Sequence, residues 1–136
     1  MIAIVDAGPL YAAVDADDDD HARCVAILER PDLELVIPAL VVAEVTYLVG
    51  SRMGADTEAR FLRALASQEI EAPTIEDWSA IADLVERYGD SPLGGTDASV
   101  AALAERLGTD VIVTLDRRHF GAVRRADGRA FRLLPD

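Results

Sequence analysis

The 136-residue sequence predicts an α/β fold in which a central, mostly parallel sheet of four to five strands carries helices on both faces. Short runs rich in Val and Ile alternate along the chain with longer segments of helical periodicity. These runs are continuously apolar, which is typical of strands that are buried on both faces. Half of the residues are apolar, and a chain of this length fits one domain, so residues 1–136 are expected to form a single domain.

The first half of the chain predicts two strands and four helical segments. A β-branched run ends at Asp6, and Gly8-Pro9 then opens a helix, because proline is favoured in the first turn. Gly50 ends a longer apolar helix. The predicted strands are 2–5 and 34–38, and the later helical segments are about 21–29, 39–50 and 55–67.

The second half predicts the rest of the alternating pattern. A short strand near 69–74 precedes a helix from Ile75, where Thr74 and Asp77 are spaced for a capping box. Trp78 lies in the apolar stripe of that helix and is expected to face the core. The remaining elements are a helix in 97–108, the clearest strand in 110–116 and a short strand within 131–135.

The composition excludes several classes of protein. All 13 basic residues are arginine, so a Walker P-loop, a Schiff-base enzyme and a receiver domain with an active-site lysine are excluded. The single cysteine, Cys24, excludes a disulfide framework and a cysteine-rich zinc site. The first basic residue is Arg23, so the N-terminus lacks the positive region of a secretory signal, and a cytoplasmic location is expected.

The charge is distributed unevenly along the chain. Residues 1–116 hold seven arginines against 23 acidic residues, a net charge of −16, whereas residues 117–136 hold six arginines against two acidic residues, a net charge of +4. An acidic surface repels nucleic acid at long range. Binding to nucleic acid would therefore require a local basic strip, a bound cation or both.

Two aspartates follow the two most apolar predicted strands. Asp6 follows 2–5 and Asp116 ends 110–116. If these strands are neighbours at the centre of a parallel sheet, both carboxylates lie at the same edge, where α/β sheets bind ligands. Either residue alone is equally well explained as the N-cap of a helix or turn.

Two further acidic residues lie on predicted helices. Glu44 has only apolar neighbours three and four positions away, so it is expected to be buried and to need a cation or a strong hydrogen-bond partner. Asp97 heads the stripe that contains Val100 and Ala104, which directs it inward, although a residue at a helix start also favours the helix dipole. Asp90, in a Gly- and Pro-containing loop, is more typical of a turn.

Four carboxylates in one crevice require neutralisation. Two carboxylates about 5 Å apart repel by roughly 3 kcal/mol at an effective dielectric constant of 20. Mg²⁺, or Mn²⁺ as a substitute, is the natural counterion for dispersed oxygen ligands. The pattern favours a metal-dependent phosphoryl-transfer site.

The same residues lie in four blocks that resemble the PIN-domain ribonucleases, and among them the VapC-type toxins of bacterial toxin–antitoxin pairs. The blocks are IVDAGPLYA (4–12), IPALVVAEVTYLVG (37–50), GGTDASVAALAERLG (94–108) and IVTLDRRHF (112–120). They keep the order and spacing of the family over nearly the whole chain, and the combination is highly specific.

The resemblance implies an Mg²⁺-dependent endoribonuclease with a single PIN domain. It identifies Asp6, Glu44, Asp97 and Asp116 as metal-binding catalytic acids. Thr114 matches the family as a supporting residue, and Asp90 falls where many members keep an acid. The resemblance also implies a homodimer and a VapB-like antitoxin whose C-terminal segment lies over the active-site groove.

Arginines that follow the last acid are candidates for RNA contacts. Arg117 and Arg118 are placed to hold phosphates that flank the cleaved bond, although arginines that balance an acidic chain explain them equally well. His119 is expected to shape the turn after Asp116. Nothing in the spacing brings it to His21, so a metal-free ribonuclease with two imidazoles is not favoured.

Three alternatives stay open from the residues. A PIN nuclease could act in RNA processing without an antitoxin, or the domain could be a catalytically silent binding module. A metal-dependent phosphatase fits the mechanism, but the sequence Asp6-Ala7-Gly8 lacks the Asp-x-Asp spacing that one common phosphatase class uses.

Overall fold

The computed structural model describes residues 1–136 and contains five strands and seven α-helices. The strands are β1 (Ile2–Val5), β2 (Glu34–Pro38), β3 (Glu69–Glu71), β4 (Val111–Val113) and β5 (Arg132–Leu134). The helices are α1 (Ala7–Val14), α2 (His21–Leu28), α3 (Ala39–Met53), α4 (Ala55–Ala64), α5 (Ile75–Arg87), α6 (Gly95–Arg106) and α7 (Arg117–Ala122). The predicted α/β class is confirmed, and only α7 was not expected.

The strands form one parallel sheet in the order β3-β2-β1-β4-β5. Strand β1 is central, with Ile4 opposite Val36 of β2 on one side and Ile112 of β4 on the other. Strands β1 and β4 are therefore neighbours, as the two most apolar runs predicted. The chain leaves both of them at the same edge of the sheet.

The core lies on both faces of the sheet. Ala3, Ile4 and Val5 of β1 are fully buried, which explains why that strand is continuously apolar. Helix α6 is buried from Ala98 to Ala104, and its small side chains let it pack closely against α3 and the sheet. The tight packing of α6 fixes the position of its first turn.

Helix α5 begins at the predicted capping box but turns a different face inward. Trp78 is 52% exposed, so the expectation that it belongs to the core is wrong. Instead, Asp77 and Ile81 are the buried residues of the helix, and the Asp77 carboxylate accepts a hydrogen bond from Arg106 Nε of α6 at 2.8 Å. Of the predicted apolar stripe, Ile75, Trp78 and Val85 are exposed, whereas Ile81 is buried.

No helix of the structure combines the length and apolar character that crossing a membrane requires.

Candidate metal centre

The first acidic residue lies at the centre of the sheet edge. Asp6 follows β1 directly and is only 5% exposed. Its backbone N–H donates to the carbonyl of Val113 in β4 at 2.9 Å, which continues the β1–β4 pairing by one residue. The parallel pairing thus holds the Asp6 backbone beside the end of β4.

Thr114 links Asp6 to Asp116. Its buried hydroxyl donates to Asp6 Oδ2 at 2.8 Å and accepts from the backbone N–H of Asp116 at 3.0 Å. The structure thus brings together three of the residues singled out in the sequence.

The other oxygen of Asp6 has no partner. Asp6 Oδ1 is buried and no hydrogen-bond donor contacts it. Burial raises the pKa of Asp6; the Thr114 hydroxyl and the Ala7 N–H oppose this effect, while the charges of Glu44 and Asp116 add to it. An unpartnered buried carboxylate oxygen is costly. A cation at this oxygen would remove that cost.

Asp97 belongs to the same electrostatic cluster. It lies in the first turn of α6, where it is partly buried. Burial, followed by the charges of Asp6, Asp116 and Glu44, raises its pKa to about 6. Asp6, Asp116 and Glu44 therefore lie near enough to Asp97 for their charges to act on it.

Asp116 is held by the helix that the sequence did not predict. It is the N-cap of α7, and its Oδ1 accepts the backbone N–H of His119 at 3.0 Å. Its Oδ2 lies 2.6 Å from His119 Nδ1. Burial opposes ionisation, but the hydrogen bonds from His119 and the charges of His119 and Arg118 outweigh it and lower the pKa of Asp116.

Glu44 differs from expectation in its burial. It is exposed on α3, so the argument that it needs a partner because it is buried is wrong. Helix α3 buries the row Val41, Val45 and Val49, and Glu44 lies beside that row rather than in it. Its charge nevertheless raises the pKa of Asp6 and of Asp97, so it lies at the edge of the acidic cluster.

The remaining candidates, Asp90, Arg117 and Arg118, differ in the contacts that they make. Asp90 is exposed in the loop before α6, and it makes no hydrogen bond or ion pair. The Arg117 guanidinium donates to the carbonyls of Leu133 and Pro135 and is thereby held against β5. Arg118 is exposed, makes no hydrogen bond or ion pair, and lies close enough to lower the pKa of Asp116.

The donor set fits a hard divalent cation in a hydrated site. No three His, Cys, Asp or Glu side chains converge closely enough to form a ready-made metal cage. Mg²⁺ does not need such a cage, because it keeps several waters and is usually bound through one or two carboxylates and the substrate phosphate. A cation at this position would give Asp6 Oδ1 a partner and would offset the mutual repulsion of the acids.

The four acids differ in exposure. Asp6 is buried, Asp97 and Asp116 are partly buried, and Glu44 is exposed. None of them lines any of the three pockets of the protein.

The sequence analysis placed His119 in the turn after Asp116, but it did not predict that His119 contacts both oxygens of that carboxylate. The available signal was its position three residues after an aspartate that follows a strand, because an N-cap side chain accepts the N–H of the third helical residue.

A family model for the PIN domain matches residues 3–126. The chain belongs to the PIN domain family. It is also 38% identical over 134 residues to Ribonuclease VapC26 of Mycobacterium tuberculosis (strain ATCC 25618 / H37Rv), and the alignment covers 97% of this chain and 99% of that relative. The resemblance drawn from the four sequence blocks is confirmed.

Solved structures of toxins share the fold. VapC20 of Mycobacterium tuberculosis, a sarcin–ricin loop cleaving toxin, superposes with a TM-score of 0.74 at 18% identity, over 81% of this chain and 86% of that chain. VapBC2 of Rickettsia felis, bound to a DNA fragment from its promoter, gives a TM-score of 0.73 at 16% identity, over 99% of this chain and 100% of that chain. At these identities, the likeness establishes the PIN fold.

Proposed function

We propose that residues 1–136 form a single PIN domain that is a divalent-metal-dependent endoribonuclease and the toxin of a toxin–antitoxin pair. The observation that carries the proposal is the cluster of Asp6, Asp97 and Asp116, in which Asp6 Oδ1 is buried without a partner and the pKa of Asp97 is raised to about 6. A cation would offset the mutual repulsion of these carboxylates. The 38% identity to Ribonuclease VapC26 supports RNA as the substrate.

The acids have separable roles in this proposal. Asp6, Asp97 and Asp116 would hold Mg²⁺, or Mn²⁺ in its place, and Glu44 would contribute a further carboxylate from α3. The bound ion would supply activation of a water and stabilisation of the charge that develops on the scissile phosphodiester. The Thr114 hydroxyl holds the Asp6 side chain beside the Asp116 backbone through its two hydrogen bonds. We expect in-line hydrolysis to leave a 5′-phosphate and a 3′-hydroxyl.

Arg118 is the favoured contact to an RNA phosphate. Its side chain is exposed beside Asp116, whereas Arg117 is engaged with the carbonyls of the C-terminal strand. An unpaired guanidinium next to the metal cluster offsets the repulsion between an acidic protein and RNA. We assign Arg117 a mainly structural role.

The antitoxin is expected to occupy an apolar groove of about 410 Å³. The groove lies between α1, α2 and α4, and 11 of its 13 lining residues are hydrophobic, among them Leu10, Val25, Phe61 and Leu65. Its lining includes Val5, the residue that precedes Asp6, and we expect a chain bound in the groove to extend towards the acids. The net charge of −12 favours an apolar segment that also carries basic residues.

Two further expectations accompany the proposal. The family resemblance implies a homodimer, which light scattering of the purified protein measures directly. Cellular RNA and a reduced, buried Cys24 both fit action in the cytoplasm.

Cleavage of end-labelled cellular RNA tests the proposed function. The purified protein is incubated with Mg²⁺ or with EDTA, and the Asp97→Asn variant is incubated with Mg²⁺. Discrete cuts are expected only for the unaltered protein with Mg²⁺. Equal cutting in all three reactions would indicate a contaminant. No cutting in any reaction, with antitoxin shown to be absent by mass spectrometry, would favour the silent binding module.

A further inference from the structure

His119 contacts both oxygens of a single carboxylate. Its backbone N–H donates to Asp116 Oδ1 at 3.0 Å, and its ring Nδ1 lies 2.6 Å from Asp116 Oδ2. The two contacts prevent the carboxylate from rotating about its last bond. Helix capping explains the contact with the backbone N–H, because an N-cap side chain accepts a backbone N–H of the first turn. It does not explain the contact with the ring.

The direction of the ring hydrogen bond follows from the geometry of the contact. His119 Nδ1 and Asp116 Oδ2 lie 2.6 Å apart, so a proton must lie between them. A carboxylate oxygen accepts hydrogen bonds, so we assign the proton to Nδ1 of His119, which donates it. The contact is therefore a charge-assisted hydrogen bond, which is stronger than a neutral one.

The two donors leave part of the carboxylate free. An ionised carboxylate has about four lone-pair positions, two on each oxygen. His119 occupies one position on Oδ1 and one on Oδ2. One lone-pair position on each oxygen is left for a cation. Because the His119 contacts fix the orientation of the carboxylate, they also fix the direction in which these lone pairs point.

We propose that His119 is a positioning residue that holds the Asp116 carboxylate in the orientation in which it binds the divalent cation. The inference rests on the proposed metal-dependent function. Residues that hydrogen-bond a metal ligand typically change metal affinity or activity by about 10- to 100-fold when they are removed. His119 acts on the ion only through Asp116.

Two substitutions separate the hydrogen bond from the packing of the ring. His119→Phe keeps an aromatic ring on α7 but removes the donor, whereas His119→Asn places an amide N–H close to the position of Nδ1. Neither variant changes the backbone N–H that caps α7. His21→Phe is the matched control, because His21 is the only other histidine and its Nδ1 contacts the carbonyl of Ala12, outside the acidic cluster.

The primary measurement is Mn²⁺ affinity, determined by isothermal titration calorimetry on the full chain. We expect His119→Phe to weaken binding about tenfold or more. His119→Asn is expected to recover most of the affinity, and His21→Phe to match the unaltered protein. The Mg²⁺ concentration for half-maximal RNA cleavage should rise in parallel, while the rate at saturating Mg²⁺ changes much less. The melting temperature without metal reports any loss of folding.

The outcomes distinguish this inference from the proposed function. If His119→Phe binds Mn²⁺ as tightly as the unaltered protein while Asp116→Asn does not, the positioning role is overturned and the metal site stands. Equal weakening in His119→Phe and His119→Asn also overturns the role of the donor. If the unaltered protein itself binds no Mn²⁺ and cleaves no RNA with Mg²⁺, the proposed function fails and the inference fails with it.

Discussion

The Thr114 hydroxyl donates a hydrogen bond to Asp6 Oδ2 at 2.8 Å, across the ends of two neighbouring parallel strands. Both residues are buried, and they are 108 positions apart in the chain. The contact joins the two strand ends that carry the acids Asp6 and Asp116. It therefore links the stability of the sheet edge to the geometry of the proposed metal centre.

Replacing Thr114 by valine should weaken both stability and cleavage. The substitution keeps the shape of the side chain but leaves Asp6 Oδ2 without its donor and the Asp116 N–H without its acceptor. We expect the free energy of unfolding, measured by urea denaturation without metal, to fall by about 1–3 kcal/mol. RNA cleavage at fixed Mg²⁺ should fall as well.

Thr114→Ser provides the control for that prediction. Serine keeps a hydroxyl that reaches both partners, so its cleavage rate should stay close to that of the unaltered protein. A valine variant that cleaves RNA as fast as the serine variant would show that the hydroxyl has no part in the site.

Asp97 should make the metal-free protein less stable as the pH rises. Its pKa is about 6 in the folded state, against an ordinary value of 3.8. The folded protein therefore binds the proton of Asp97 more tightly than the unfolded chain does. The stability associated with that proton is present below about pH 3.8 and is lost as the pH rises towards about 6. Above that range, the ionised carboxylate opposes folding.

Melting temperatures of the Asp97→Asn variant test this sign. Asparagine carries no charge, so in EDTA at pH 7.5 the variant should melt above the unaltered protein, and the difference should shrink at pH 5. Mg²⁺ should raise the melting temperature of the unaltered protein more than that of the variant. A variant that melts lower than the unaltered protein at both pH values in EDTA would contradict the electrostatic account.

Removing the Asp77 carboxylate should lower stability without lowering the activity of the folded enzyme. Asp77 caps α5 by accepting the Thr74 N–H at 3.0 Å and also accepts Arg106 Nε at 2.8 Å. Asp77→Ala breaks both contacts and leaves Arg106 partly buried without its closest partner. We expect a loss of about 2–3 kcal/mol in urea denaturation.

The pH dependence of that loss has the opposite sign to that of Asp97. Burial raises the pKa of Asp77, but the Thr74 N–H and the Arg106 guanidinium outweigh it and bring the pKa below 3.8. The stabilisation is therefore present above about pH 3.8 and is lost as the pH falls through the folded-state pKa.

The activity of Asp77→Ala is compared with that of the unaltered protein at equal concentrations of folded protein. If the two proteins cleave RNA at different rates, the prediction that activity is unchanged is wrong and α5 affects the site.

The sequence predicted the sheet edge well and the helix faces less well. Asp6 and Asp116 could be paired because parallel strands end at a common edge, so two apolar runs that each end in aspartate suffice. Glu44 and Trp78 show the limit of the same approach. Local periodicity does not reveal which face of a helix meets the core. It also does not reveal long-range contacts such as that between Asp77 of α5 and Arg106, which is 29 residues away in sequence.

Arg117 and Arg118 should respond differently to replacement by alanine. Arg118→Ala removes an exposed guanidinium beside the acidic cluster, so RNA binding should weaken and the slope of log affinity against log salt should decrease by roughly one unit. Arg117→Ala should lower the melting temperature and leave that slope unchanged, because its guanidinium is bonded to the carbonyls of Leu133 and Pro135. Binding is measured in proteins that also carry Asp97→Asn, which prevents cleavage of the RNA. If the slope decreases for both arginine variants, both arginines contact the RNA.

The apolar groove gives a prediction for the antitoxin with a matched control on neighbouring residues. Leu65→Asp places a charge in the groove lined by α1, α2 and α4, and we expect it to weaken the complex with the co-expressed antitoxin. Leu62 is 45% exposed and lies outside the groove, so Leu62→Asp should bind as the unaltered protein does. The Leu65 substitution is expected to weaken binding because burying an unpaired carboxylate in an apolar interface costs several kcal/mol. If the Leu65 variant retains as much antitoxin as the Leu62 variant, and the two have the same melting temperature, the antitoxin binds another surface.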